Sequence, residues 1–179
     1  GGRWFDLASL TKTFTATALL GMVKDGRLYL AQSVGELLEP ESAKLRQYLD
    51  GISLFSLMTH TSGLPAWYPF YADGRPFFEA LEELLDCRGF GSGMVYSDLG
   101  YMLLGLVLSS KAGAPLEEVI DPMGFGVRYR PPRDLDFVPS CRDNAVEEGM
   151  CAELGMCFSG FRPHRTDVFS EPNDGNAHY

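Results

Sequence analysis

Convincing β-strand patterning is almost wholly missing from this 179-residue chain. Hardly any stretch alternates apolar and polar residues with period two, so an all-β sandwich or barrel is excluded. Cysteine is scarce too: Cys87, Cys141, Cys151 and Cys157 are too few for a disulfide scaffold at this length. None of them forms a Cys-x-x-Cys pair, and together with His164 their spacings match no common zinc template. No metal and no cofactor is therefore expected. Basic residues are outnumbered, with 15 Lys and Arg against 24 Asp and Glu and a net charge of -9. That balance argues against nucleic acid and anionic membrane surfaces as partners. A small substrate remains open, because one local cation outweighs the global sign at short range. No apolar run reaches membrane-spanning length, and no signal peptide is present. The chain opens without an initiator Met, so that absence leaves the compartment open. Repeats and low-complexity segments are absent as well. Nothing in the sequence sets an oligomeric state.

What the chain does have is helix-forming apolar sequence. Hydrophobic residues make up 45% and aromatics 12%, enough for the core of one domain. Residues 9–24 read as a helix that is apolar on most faces and hence buried, stopped at KDGR with Gly26 suited to a left-handed cap. Short helices are expected over Ser33–Leu38, Ser42–Leu49 and from Ser53 to the loop THTSGLP. RPFFEALEELLDC is the cleanest amphipathic helix, with Pro76 in its first turn. A second buried helix opens near Ser97 or Asp98 and closes at Gly113, and PLEEVI gives a further short one. From about residue 122 the chain reads as extended and loop-rich, without a strong period.

Against this apolar background, FDLASLTKTF places Ser9 and Lys12 three positions apart at a helix start. On a helix such residues share one face, so the amine reaches the hydroxyl. The first turn adds unpaired N–H groups and the positive end of the helix dipole. Both favour negative charge developing on the serine. Burial among apolar neighbours is expected to lower the Lys12 pKa and make the amine a base near neutrality. The bland reading is a capping serine and a lysine that snorkels to water. Alone, the motif is weak, since about one Ser-x-x-Lys arises by chance in a chain of this size.

Tyr96 is the second candidate, between a glycine-rich loop and a buried helix. A phenol near a lysine cation can serve as base and proton shuttle, against the plainer role of a core tyrosine with its hydroxyl satisfied. Asp98 has the bland role of capping the helix that follows. His60 reads as a loop-shaping hydrogen bonder rather than a catalytic group. Trp67, Tyr68, Phe70 and Tyr71 line a substrate entrance or form a packing lid, and the sequence does not choose. His164 and His178 receive no role.

SLTK at 9–12, MTHTSGLP at 58–65 and YSDLGYMLLG at 96–105 together resemble the serine β-lactamase-related family: class C β-lactamases, D,D-peptidases and β-lactamase-like esterases. Order and spacing are similar over residues 1 to about 132. The resemblance implies an α+β domain of which this chain holds mostly the α-helical part. Residues 1–179 then form a single partial domain, with 1–121 helical and 122–179 loop-rich. It also implies Ser9 as acylated nucleophile, Lys12 as its activating partner, Tyr96 as general base and acid, and Asp98 as substrate-binding. Two departures accompany it. The family's second motif usually ends in Asn where this chain has Asp98, which alters the hydrogen bonds offered to a substrate amide. Its third motif, a Lys or His followed by Gly on a strand, is not found, and neither are the strands expected before FDLASLTK. The expected activity is therefore that of a serine hydrolase acting on small esters, amides or peptide-like compounds. The competing expectation is a catalytically incompetent fragment or a non-catalytic ligand-binding remnant. A plain helical interaction module with an accidental SLTK is the third.

Overall fold

In the computed structural model, residues 3–5, 7–129, 136, 138 and 145–156 are described. Among them there is no strand, only isolated pairings such as the antiparallel bridge between Ser33 and Ser53. A 3-10 turn over Ala8–Leu10 leads directly into α1 (Thr11–Lys24). Thus the helix expected from residue 9 begins with one tighter turn at Ser9. Gly26 follows α1 at φ +70°, a conformation open to glycine without steric cost.

The next helices, α2 (Val34–Leu38), α3 (Ala43–Asp50) and α4 (Leu54–Met58), each begin on a serine whose hydroxyl accepts a backbone N–H of the first turn. Ser33, Ser42 and Ser53 are these caps, and they explain why such short helices start where they do. In α6 (Phe77–Arg88) Pro76 occupies the N-cap rather than the first turn. The one-residue shift has a simple reason: its ψ of 142° is extended. α7 (Asp98–Ala112) is capped by Ser97 and ends at Gly113, and α8 (Leu116–Ile120) follows Pro115.

Two helices depart from the sequence expectation. α5 (Phe70–Asp73) lies in the aromatic stretch read as a loop. Tyr68 and Phe70 are buried there, and the Phe70 ring packs on Phe77 at 4.7 Å, so that part of the stretch is core. α9 (Ala145–Glu153) lies in the tail read as unpatterned. The Tyr71 hydroxyl donates to the buried Glu147 carboxylate at 2.5 Å, a polar anchor that hydrophobic periodicity does not reveal.

The core is built around α1 and α7. α1 packs on α7 and α8, and α2 and α4 also pack on α7. Leu19, Leu57, Leu99, Leu103, Leu104, Val107 and Leu108 are fully buried or nearly so. α7 therefore carries apolar residues on most faces because neighbours cover most faces. No single helix among the described residues is long and apolar enough to cross a membrane. Polar contacts tie α3 to α6 at the surface: Ser42 donates to Glu82, Lys44 pairs with Asp86, and the Tyr48 hydroxyl donates to Asp86 at 2.7 Å.

α2 and α3 make a close backbone approach at Gly35. A Cβ on Gly35 would stand 2.8 Å from the Asp50 nitrogen and 2.9 Å from the Arg46 oxygen. Both are backbone atoms, so neither can swing aside. Gly35→Ala is expected to destabilise the fold by about 1–3 kcal/mol, the usual range for overpacking. Chemical denaturation checks it, and an unchanged midpoint would mean α2 can slide away from α3.

Candidate active site

Ser9 is exposed in the middle of the 3-10 turn, and Lys12 sits one turn on, in the first turn of α1. The Lys12 Nζ donates a hydrogen bond to Ser9 Oγ at 3.2 Å. No side-chain capping bond is made at either helix start here, so Ser9 does not act as a cap. Just before it, Ala8 has φ +44°. Such a conformation costs a non-glycine residue on the order of 1–3 kcal/mol and is usually held in place by its surroundings.

Lys12 does not snorkel. Its side chain is 17% exposed and turns inward, where Nζ lies 2.5 Å from the Asp98 carboxylate, itself 20% exposed. The same ammonium stands 5.0 Å from the centre of the Tyr96 ring and 5.8 Å from that of Tyr101. These separations are typical of cation–π contact. One site thus gathers Ser9 and Lys12 from the start of α1 with Tyr96 and Asp98 from the start of α7.

Two sequence expectations need correction. Asp98 is not the helix cap, because Ser97 takes that position and accepts the Gly100 N–H. The one-residue offset frees the Asp98 carboxylate for Lys12. The Lys12 pKa is raised rather than lowered. Burial does push it down, as expected, but the Asp98 carboxylate and the Tyr96 hydroxyl outweigh that effect. At neutral pH Lys12 is an ammonium.

The loop after α4 supplies the frame. Gly63 lies at φ +77°, and its carbonyl accepts the Gly91 N–H at 2.7 Å, which ties this loop to the glycine-rich approach before Tyr96. Ser97 Oγ donates to the Pro65 carbonyl at 2.7 Å, and the Asp98 N–H donates to the Ala66 carbonyl at 2.8 Å. His60 is bonded to this segment as well, and its ring packs at a tilt against Tyr96. The loop-shaping role read for His60 is seen in those bonds. The contribution of Tyr101 was not legible, since a tyrosine in a buried helix carries no mark of facing a cation.

Among the described residues, no group of three His, Cys, Asp or Glu side chains converges as a metal site. Cys87 is exposed and Cys151 is buried in α9. Cys141, Cys157, His164 and His178 lie outside the described residues.

A serine and lysine one turn apart at a helix start, faced by a Tyr-Ser-Asp helix entry, define the class of site. The beta-lactamase family model matches residues 2–122, and the chain belongs to that family. It is 32% identical over 127 residues to an N-acetylmuramyl-L-alanine amidase of Bacillus subtilis, a match covering 63% of this chain and 29% of that protein. It is 30% identical over 160 residues to the D-alanyl-D-alanine-carboxypeptidase/endopeptidase AmpH of Escherichia coli, covering 79% and 40%. Among solved structures, a class C beta-lactamase matches with a TM-score of 0.61 at 25% identity, over 78% of this chain and 41% of that one. The chain thus spans 29–40% of the length of these curated relatives. Its described part is the helical portion of the beta-lactamase and penicillin-binding-protein type of fold.

Proposed function

We propose that this chain carries the nucleophile side of a serine hydrolase that works through an acyl-enzyme on Ser9. The observation that carries the reading is the hydrogen bond from the Lys12 ammonium to Ser9 Oγ, backed by Asp98. An ammonium that keeps its proton is a poor base but a good stabiliser of an alkoxide. Another group must then take the serine proton, and the contact of Tyr96 with the same ammonium supports Tyr96 in that role.

In this mechanism Ser9 Oγ attacks the carbonyl carbon of a small ester, amide or peptide-like substrate. Its proton passes to the oxygen of Tyr96 in the deprotonated form. Tyr96 then protonates the leaving alcohol or amine as its bond to the carbonyl carbon breaks. Water hydrolyses the acyl-enzyme by the same route in reverse. Asp98 keeps Lys12 in position. As a carboxylate it only accepts hydrogen bonds, so it favours a substrate N–H over a substrate carbonyl beside it. The relatives' names, an amidase and a carboxypeptidase/endopeptidase, support amide and peptide-like substrates.

Exposure to a fluorophosphonate probe followed by peptide mapping tests the assignment. The expected result is one phosphonyl adduct, on Ser9. An adduct on another hydroxyl would remove Ser9 as nucleophile. A folded chain without any adduct would favour a ligand-binding remnant that does not turn over.

A further inference from the structure

Tyr96 is 54% exposed, and little packing fixes its ring. Its backbone, by contrast, is held on both sides by one residue. The His60 carbonyl accepts the Val95 N–H at 2.9 Å, and His60 Nδ1 accepts the Ser97 N–H at 3.1 Å. These are the residues immediately before and after Tyr96. The His60 ring also lies on the Tyr96 ring, with centroids 4.6 Å apart, and against Tyr101 on α7 at 5.2 Å. To make these contacts His60 adopts φ +58°, a left-handed conformation that a histidine rarely takes. Strain of that kind persists only where the surrounding contacts fix it.

We propose that His60 is the positioning residue for Tyr96, and that it holds Tyr96 only as the neutral imidazole, through its carbonyl, its Nδ1 and its ring. The inference rests on the reading that Tyr96 moves the Ser9 proton. The chemistry of the clamp is specific. Nδ1 accepts a hydrogen bond from a backbone N–H, so the ring proton of the neutral form is on Nε2. Protonating Nδ1 would set two N–H groups against each other and break the bond to Ser97. The ring packs against two tyrosines, so turning away would also forfeit both ring contacts.

The groups facing His60 are Tyr96, Tyr101, the Ser97 N–H, Lys12 and Asp98. Burial, and then the Lys12 charge, hold the His60 pKa below its ordinary 6.5, while Asp98 opposes them weakly. The clamp is therefore intact at neutral pH and is lost as pH falls below 6.5.

His60→Asn is the informative variant. Asparagine tolerates a positive φ and offers an amide oxygen close to the position of Nδ1, but it does not titrate. The test follows the Ser97 amide and Tyr96 ring resonances of the isotope-labelled chain from pH 8 to pH 5. In the wild type both should shift with one midpoint, shared with the His60 ring and lying below 6.5. In His60→Asn the Ser97 amide should keep its high-pH position throughout. In His60→Ala the Tyr96 resonances should differ at every pH while buried leucine methyls stay in place. A His60 ring that titrates without moving Ser97 or Tyr96 would overturn the proposal. So would an asparagine variant that resembles the alanine one.

Kinetics of Ser9 labelling by the fluorophosphonate probe give the second readout. His60→Ala should slow labelling of Ser9 by about 10–100-fold at pH 8, with the half-saturating probe concentration unchanged, as expected for a misplaced proton carrier. His60→Asn should restore most of the rate and remove the inflection at the His60 midpoint from its pH profile. A wild-type inflection at that midpoint that survives in His60→Asn would overturn the proposal. Tyr96→Phe separates the two readings. Labelling of Ser9 at the wild-type rate in that variant would remove Tyr96 from the mechanism, whereas the resonances judge the His60 contact independently.

Discussion

Replacing Ser9 with alanine is expected to lower turnover of any substrate the complete site accepts by about 10⁴–10⁶-fold, without weakening the fold. The first half follows from chemistry: with no hydroxyl there is no acyl-enzyme, and only binding and electrostatics remain to accelerate the reaction. The second half follows from position. Ser9 is exposed and caps no helix, and Lys12 keeps Asp98 as its partner when the hydroxyl is gone. Exposed substitutions of this kind usually change stability by less than about 0.5 kcal/mol. Hydrolysis rates measured beside thermal unfolding check both halves. Turnover within tenfold of wild type would eliminate the Ser9 mechanism. A large drop in melting temperature would instead give Ser9 a structural role.

Lys12→Met should do the reverse and damage both properties. The Lys12–Asp98 pair is about four-fifths buried at 2.5 Å, and the substitution leaves the carboxylate without its cation. Removing one member of a buried pair costs about 3–5 kcal/mol, and residual exposure places this case near the lower end. At ~2–4 °C per kcal/mol for a chain of this size, the melting temperature should fall by roughly 6–12 °C. The double variant Lys12→Met with Asp98→Leu should recover most of that loss, because two apolar side chains replace the pair without stranding a charge. Recovery of stability without recovery of Ser9 labelling would separate the structural from the chemical role of Lys12. Failure of the double variant to recover would mean the pair is not what the single substitution breaks.

Alkaline pH supplies an internal control. The folded state holds Lys12 above its ordinary 10.5, so the stabilisation from its charge is complete below that pH and disappears as alkali removes the proton. The deficit of Lys12→Met should therefore shrink as pH rises through the range in which the wild-type lysine loses its proton, and thermal unfolding followed across alkaline pH checks it.

Helix positions in this chain are set by local chemistry. Ser33, Ser42, Ser53 and Ser97 each cap a helix through their own hydroxyl, a bond made within a few residues and visible as Ser before an apolar run. The pairing of Ser9 with Lys12 is local in the same sense, since one helical turn fixes it. Spacing and order of SLTK, MTHTSGLP and YSDLGY identified the family and the candidate residues for the same reason. Contacts beyond a turn left weaker traces. α5 and α9 were missed because Phe70 is buried against Phe77 and Glu147 against Tyr71, partners 7 and 76 positions away.

The charge state of the site belongs wholly to the tertiary structure. From sequence, a lysine beside an apolar helix reads as a candidate neutral amine, because burial alone disfavours its charge. Folding brings the Asp98 carboxylate from α7 to 2.5 Å and sets Tyr96 beside the same amine, and together they reverse the outcome. The His60 clamp on Tyr96 has the same origin, across 37 positions of sequence between His60 and Ser97. Sequence by itself determined the helices other than α5 and α9, and the serine–lysine turn, because those depend on neighbours within a few residues. Only the fold decided which carboxylate meets the lysine and which ring holds the tyrosine, because electrostatic and hydrogen-bond energies depend on distances that local sequence does not set.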